Sequence, residues 1–138
     1  DAYDFVVVDN EAGLEHISRR TTRDVDLLLA VADPSVRAII AAQRVFELVE
    51  SLGTRVGQAH LLINRVPLDE SGEPHLPPEL AAKIQEMGLP LLGLLPQDPL
   101  VSELDAQGKP LVGLPEDSPL RRQLVSLIGQ VLPVAMPV

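Results

Sequence analysis

The sequence contains no cysteine and no tryptophan, one tyrosine, two phenylalanines, and only two lysines, Lys83 and Lys109. Without cysteine there are no disulfides, no thiolate metal sites and no cysteine nucleophiles, a usage that fits a reducing cytoplasm. With so few aromatic rings the core must be built from Leu, Val, Ile and Ala. The net charge of −9 and the lack of stacking groups leave no basic footprint for nucleic acid, so no nucleic-acid partner is expected, and the bland role of the charge is solubility. No apolar run approaches the ~18–20 residues that span a bilayer. The opening residues "DAYDFVVVDN" have no basic n-region, so no secretory signal is expected. GxSxG is missing, which removes the usual nucleophile elbow. GxxxxGK[ST] is missing too, and neither lysine sits in a glycine-rich turn, so no phosphate cradle is visible. His16, His60 and His75 show no metal-ligand spacing, and no metal ligands are assigned.

What is present is one domain's worth of chain, 138 residues at 46% hydrophobic composition with a mean hydropathy of +0.17, enough for a real core. Asp4–Asp9 carries "FVVVD", a continuous apolar run typical of a central parallel strand covered on both faces. "VDLLLAVAD" (Val25–Asp33) repeats the pattern. Asp33 is expected to cap a following helix, with Pro34 in the first turn and Gly53 at its end. "AHLLINRV" (Ala59–Val66) and "LPLLGLLPQD" (Leu89–Asp98) read as two more strands. Short helices are expected over Pro78–Gly88 and Pro99–Gly108, and a longer one over Asp117–Leu132. This rhythm means an α/β fold with a mainly parallel sheet and crossover helices on both faces. Residues 1–132 form the domain and 133–138 an apolar tail. The tail lacks lysine and holds two prolines, unlike a basic amphipathic membrane helix.

Ligands of parallel sheets gather at the carboxyl ends of the strands. Here those ends are Asp9-Asn10-Glu11, Asp33-Pro34-Ser35, Asn64-Arg65 and Pro96-Gln97-Asp98. Asp9 suits a carboxylate that holds Mg²⁺ through water, and Gly13 could bring an amide near a phosphate; a simple turn cap explains Asp9 equally. Asn64 offers the donor and acceptor that an adenine edge requires, and Arg65 could stack on a base or reach a phosphate. Pro96–Asp98 is also explained by a proline turn and a helix cap. The segment Leu14–Asp26 packs His16, Arg19, Arg20 and Arg23 after the acidic loop, either as a phosphate- or partner-sensing element or as a solvated face.

The runs "YDFVVVDNEAGLEHISRRTTRDVDLLLAVADPS", "INRV" and "LLGLLPQDPLVSELDAQGKPL" resemble the C-terminal half of the deviant Walker A ATPases, the group of nitrogenase iron protein and the septum-placing and partitioning ATPases. "DNEAGLEHISRRT" looks most like the CooC-type ATPases that help insert nickel into carbon monoxide dehydrogenase. The resemblance implies a P-loop NTPase fold. It implies that Asp9 is the Walker B carboxylate, that Glu11 and Gly13 belong to switch II, and that Asn64, Arg65, Pro96 and Asp98 line the adenine pocket. It implies ATP and Mg²⁺ in an intact parent, with neither expected to bind this chain tightly. It also implies a homodimer or strand-edge association and a carbon monoxide dehydrogenase-type client. The chain is accordingly read as a fragment of such an ATPase, inactive alone. A partitioning or septum-site ATPase fragment is one alternative. A non-catalytic receiver-like module is another, although its phospho-acceptor aspartate is not in the right order.

Overall fold

The computed structural model describes residues 3–10 and 24–132. Three parallel strands, β1 (Asp24–Ala32), β2 (Arg55–Val66) and β3 (Leu91–Pro96), form a sheet in the order β1-β2-β3. Each crossover carries a helix, because parallel strands need a long return path. α1 (Val36–Ser51) joins β1 to β2 and α2 (Pro78–Glu86) joins β2 to β3, while α3 (Pro99–Ala106) and α4 (Pro119–Val131) follow β3. The alternation of β2 places its side chains on two cores. Leu61 and Ile63 join Ala30, Ile39, Leu80 and Ile84 on the face covered by α1 and α2. Leu62 packs with Leu95 and Leu127 on the face covered by α4. The result is the three-layer α/β arrangement expected from the strand–helix rhythm.

Two expectations fail. Phe5–Asp9 is not a strand. The segment has no regular structure, and Val6 and Val7 are 80% and 91% exposed. Its apolar run marks what the residues could bury, but a strand also needs a neighbour to take its backbone hydrogen bonds, and no described strand pairs with it. The cap of α1 is also not the expected residue. Ser35, not Asp33, is the N-cap, accepting from the backbone N–H of Ala38, which leaves Pro34 outside the first turn and Asp33 two residues ahead of the cap.

Close approach governs two glycines. A Cβ on Gly57 would lie 2.7 Å from the backbone carbonyl oxygen of Asp26 in the neighbouring strand. One on Gly93 would meet the tips of Leu127 at 2.6 Å. A leucine tip can turn aside, whereas a strand carbonyl cannot move without disturbing the ladder. Gly57→Ala is therefore expected to cost about 1–3 kcal/mol, more than Gly93→Ala, a ranking that urea denaturation of the two variants checks.

Candidate functional site

The carboxyl edge of the sheet is built by register. Ala32 lies opposite Ile63, so Asp33, just past the end of β1, comes beside Asn64 near the end of β2. Val66 lies opposite Pro96, and the Gln97 N–H donates to the Val66 carbonyl at 2.8 Å. Asp33, Asn64-Arg65 and Pro96-Gln97 thus share one rim, as the pattern of strand ends predicts.

Between Ile63 and Val66 the pairing of β2 with β3 is irregular, and Arg65 stands at φ +57°, the one non-glycine residue with positive φ among those described. That left-handed conformation costs a side-chain-bearing residue about 1–2 kcal/mol. Two contacts hold it. The half-buried Asn64 accepts from the Arg65 backbone N–H through Oδ1 at 2.9 Å. The guanidinium grips Asp33 with both prongs, Nε donating to Oδ1 at 2.9 Å and Nη2 to Oδ2 at 2.6 Å. The two side chains are 68% and 49% exposed, and ion pairs this open return only about 0–1 kcal/mol. The kink is therefore roughly neutral for stability. Such conformations cluster where a site needs a side chain re-aimed.

Asp98 behaves differently from its neighbours on the rim. It is 6% exposed and faces inward. Its Oδ1 caps α3 by accepting from the Leu100 N–H at 3.0 Å. Its Oδ2 accepts from the Ser118 hydroxyl at 2.6 Å, and Ser118 in turn caps α4 by accepting from the Arg121 N–H. One carboxylate and one hydroxyl thereby join two helix starts, and both oxygens of Asp98 are engaged. Pro96, also buried, borders a cleft of about 230 Å³ between the loop after β2 and the start of α4, with Leu68, Pro74, Pro119 and Arg122 among its walls. Neither Asn64 nor Arg65 lines this cleft. The loop itself is organised by Asp69, whose Oδ1 accepts from the Ser71 hydroxyl and from the N–H groups of Ser71 and Glu73. The Ser71 hydroxyl, followed by the Glu73 amide, holds the Asp69 carboxyl below its ordinary value of 3.8.

Asp9 is exposed on the irregular N-terminal segment and belongs to no strand. Glu11 and Gly13 lie outside the described residues, as do His16, Arg19, Arg20 and Arg23 and the tail from 133 onward. Among the described residues no group of three or more His, Asp or Glu could hold a metal ion. The rim thus presents an amide and a guanidinium, and among the described residues no cluster of metal-ligating side chains accompanies them. No described helix is long and apolar enough to cross a membrane. The Asp33–Arg65 clamp had only one sequence signal, an acid and an arginine at the ends of two strands expected to be neighbours.

No model of a known protein family matches the chain. An uncharacterised ATP-binding protein of Methanocaldococcus jannaschii is 36% identical over 103 residues, covering 75% of this chain and 38% of that protein. The carbon monoxide dehydrogenase accessory protein CooC of Rhodospirillum rubrum is 40% identical over 50 residues, 36% of this chain and 19% of CooC. Among solved structures, the septum site-determining protein MinD of Pyrococcus horikoshii, complexed with Mg-ADP, has a TM-score of 0.57 at 23% identity and covers 80% of this chain and 43% of MinD. The chain spans well under half the length of each of these proteins. The sequence likeness is thus to ATP-binding proteins, and the architecture is that of the MinD-type P-loop fold.

Proposed function

We propose that this chain supplies the base-reading part of an ATP-binding and ATP-hydrolysing site whose phosphate cradle comes from residues outside this sequence. The observation that carries the reading is the kinked Asn64-Arg65 pair at the carboxyl rim of a parallel sheet, opposite Asp33 and beside Pro96. Asn64 and Arg65 face the base, Pro96 bounds the pocket, and Asp98 contributes through the α3 start that it caps. Asp9 acts as the Walker B carboxylate when Phe5–Asp9 is drawn into a sheet, and Glu11 and Gly13 act as switch II. The exposed apolar side of Phe5–Val8 and the outer edge of β1, with which no other described strand pairs, favour association with a further strand or a second copy, and the parent works as a homodimer.

The finer reading is metallocentre maturation, with nickel delivered to a carbon monoxide dehydrogenase-type client. It is supported by "DNEAGLEHIS" and by the likeness to CooC over part of the chain. A septum-site role is the second reading, favoured by the MinD-type architecture over most of the chain.

Because amides and a lysine around the β- and γ-phosphates supply most of a P-loop site's affinity, the chain alone is expected to bind adenosine and Mg-ATP with similar, millimolar weakness in calorimetry. Micromolar binding of Mg-ATP, far tighter than adenosine, contradicts the division of labour. Heat from neither ligand at millimolar concentration contradicts the base-reading role itself.

A further inference from the structure

We infer that Asp33 is a positioning residue for nucleobase recognition: by neutralising Arg65 and fixing its plane, it makes that arginine a stacking platform for the base rather than a phosphate ligand. The inference rests on the base-reading role proposed above and settles which of two uses the arginine has.

The geometry is a two-pronged grip. Nε and Nη2 of Arg65 both donate to the Asp33 carboxylate, at 2.9 and 2.6 Å. A guanidinium held this way keeps its fork edge turned toward the acid and has its charge compensated at contact distance. A phosphate is left only the Nη1/Nη2 edge, and there it meets an arginine whose charge is already compensated by the neighbouring carboxylate, which itself repels the anion. The flat faces of the guanidinium, in contrast, remain available, and guanidinium planes stack well on bases. The exposure of the Arg65 side chain, 68%, leaves room for that contact.

Neighbouring groups support the same assignment. Asn64 Oδ1 is engaged by the Arg65 N–H, so the outward functions of the Asn64 amide are its two N–H donors and one remaining lone pair. That set addresses the edge of a base whose face lies on Arg65. The left-handed backbone at Arg65 and the irregular pairing between Ile63 and Val66 interrupt the strict alternation of strand neighbours at this point of β2. Asp33 is free for this work because Ser35 caps α1 in its place.

The test follows the backbone amide signals of Asn64, Arg65 and Val66 by NMR while the chain is titrated separately with adenosine and with inorganic pyrophosphate. In the unaltered chain adenosine should shift these signals and pyrophosphate should shift them less. Asp33→Asn should weaken the adenosine response about threefold and strengthen the pyrophosphate response, because the guanidinium is then mobile and its charge unpaired. Asp33→Glu should restore the unaltered order. The melting temperature should change by only a few degrees in either variant, as expected for loss of an exposed pair. Adenosine binding that is the same in Asp33→Asn as in the unaltered chain overturns the positioning role and leaves the base-reading role standing. Stronger pyrophosphate than adenosine binding by the unaltered chain overturns the stacking assignment. An unaltered chain whose rim signals ignore adenosine at millimolar concentration overturns the base-reading role, and this inference with it.

Discussion

Replacing Asp98 by alanine is expected to lower the free energy of unfolding by about 2–4 kcal/mol, the sum of a lost helix cap and a stranded buried hydroxyl. Both losses are visible in the geometry. The Leu100 N–H at the start of α3 loses its side-chain acceptor. The Ser118 hydroxyl, in a residue only 2% exposed, loses the carboxylate that it donates to. Asp98→Asn should cost less, because its amide oxygen can still cap α3. Ser118→Ala should fall between them, since it uncaps α4 but leaves Asp98 on α3. Urea denaturation of the three variants gives the ranking. The same series separates a cap from a ligand. If Asp98 contacts the base directly, Asp98→Asn should impair adenosine binding more than it impairs folding. If the carboxylate serves through the two helix starts, binding should fall only where stability falls.

Much of the architecture was legible because parallel strands write themselves as continuous apolar runs closed by polar residues. "VDLLLAVAD", "AHLLINRV" and "LPLLGLLPQD" coincide with β1, β2 and β3 apart from their ends. Composition could not show which runs find neighbours. "FVVVD" has the same texture as β1, yet it lies open to solvent, because hydrophobicity records a capacity for burial while hydrogen-bond pairing requires a second strand in register. The rim itself was foreseeable from strand ends. The conformation of Arg65 was not, since an arginine at positive φ is set by its contacts to Asn64 and Asp33 and not by its own preference. Asp98 shows the converse case. A residue of the right type at the right strand end can be turned inward by the proline-started helix behind it, and only the Ser118 hydroxyl twenty residues on reveals where its second oxygen goes. Glu11 and Gly13 fall outside the described residues, so their part in the site rests on the motif.

Ile63→Ala is expected to be among the most damaging single substitutions in the chain, about 2–5 kcal/mol in a urea titration. Ile63 is fully buried near the carboxyl end of β2, the central strand of the sheet, under the α1 and α2 layer. That face gathers the larger core, with Leu61, Val66, Leu76, Leu80 and Ile84 around it. Rigid helices anchored on several such residues cannot collapse into the space a lost side chain leaves, which places the cost toward the upper end. Leu127→Ala offers the contrast. Leu127 belongs to the smaller cluster with Leu62 and Leu95 under a single helix, α4, and α4 can settle toward the sheet, so its loss should cost nearer the lower end. The two faces also differ in what they support. Ile63 immediately precedes the Asn64-Arg65 kink, and its packing fixes the end of β2 from which both side chains depart. Ile63→Ala should therefore weaken adenosine binding under conditions where the variant is still folded, while Leu127→Ala should leave it unchanged. Equal losses of binding in the two variants would mean that the rim depends on the sheet as a whole and not on the α1 and α2 face that stands behind it.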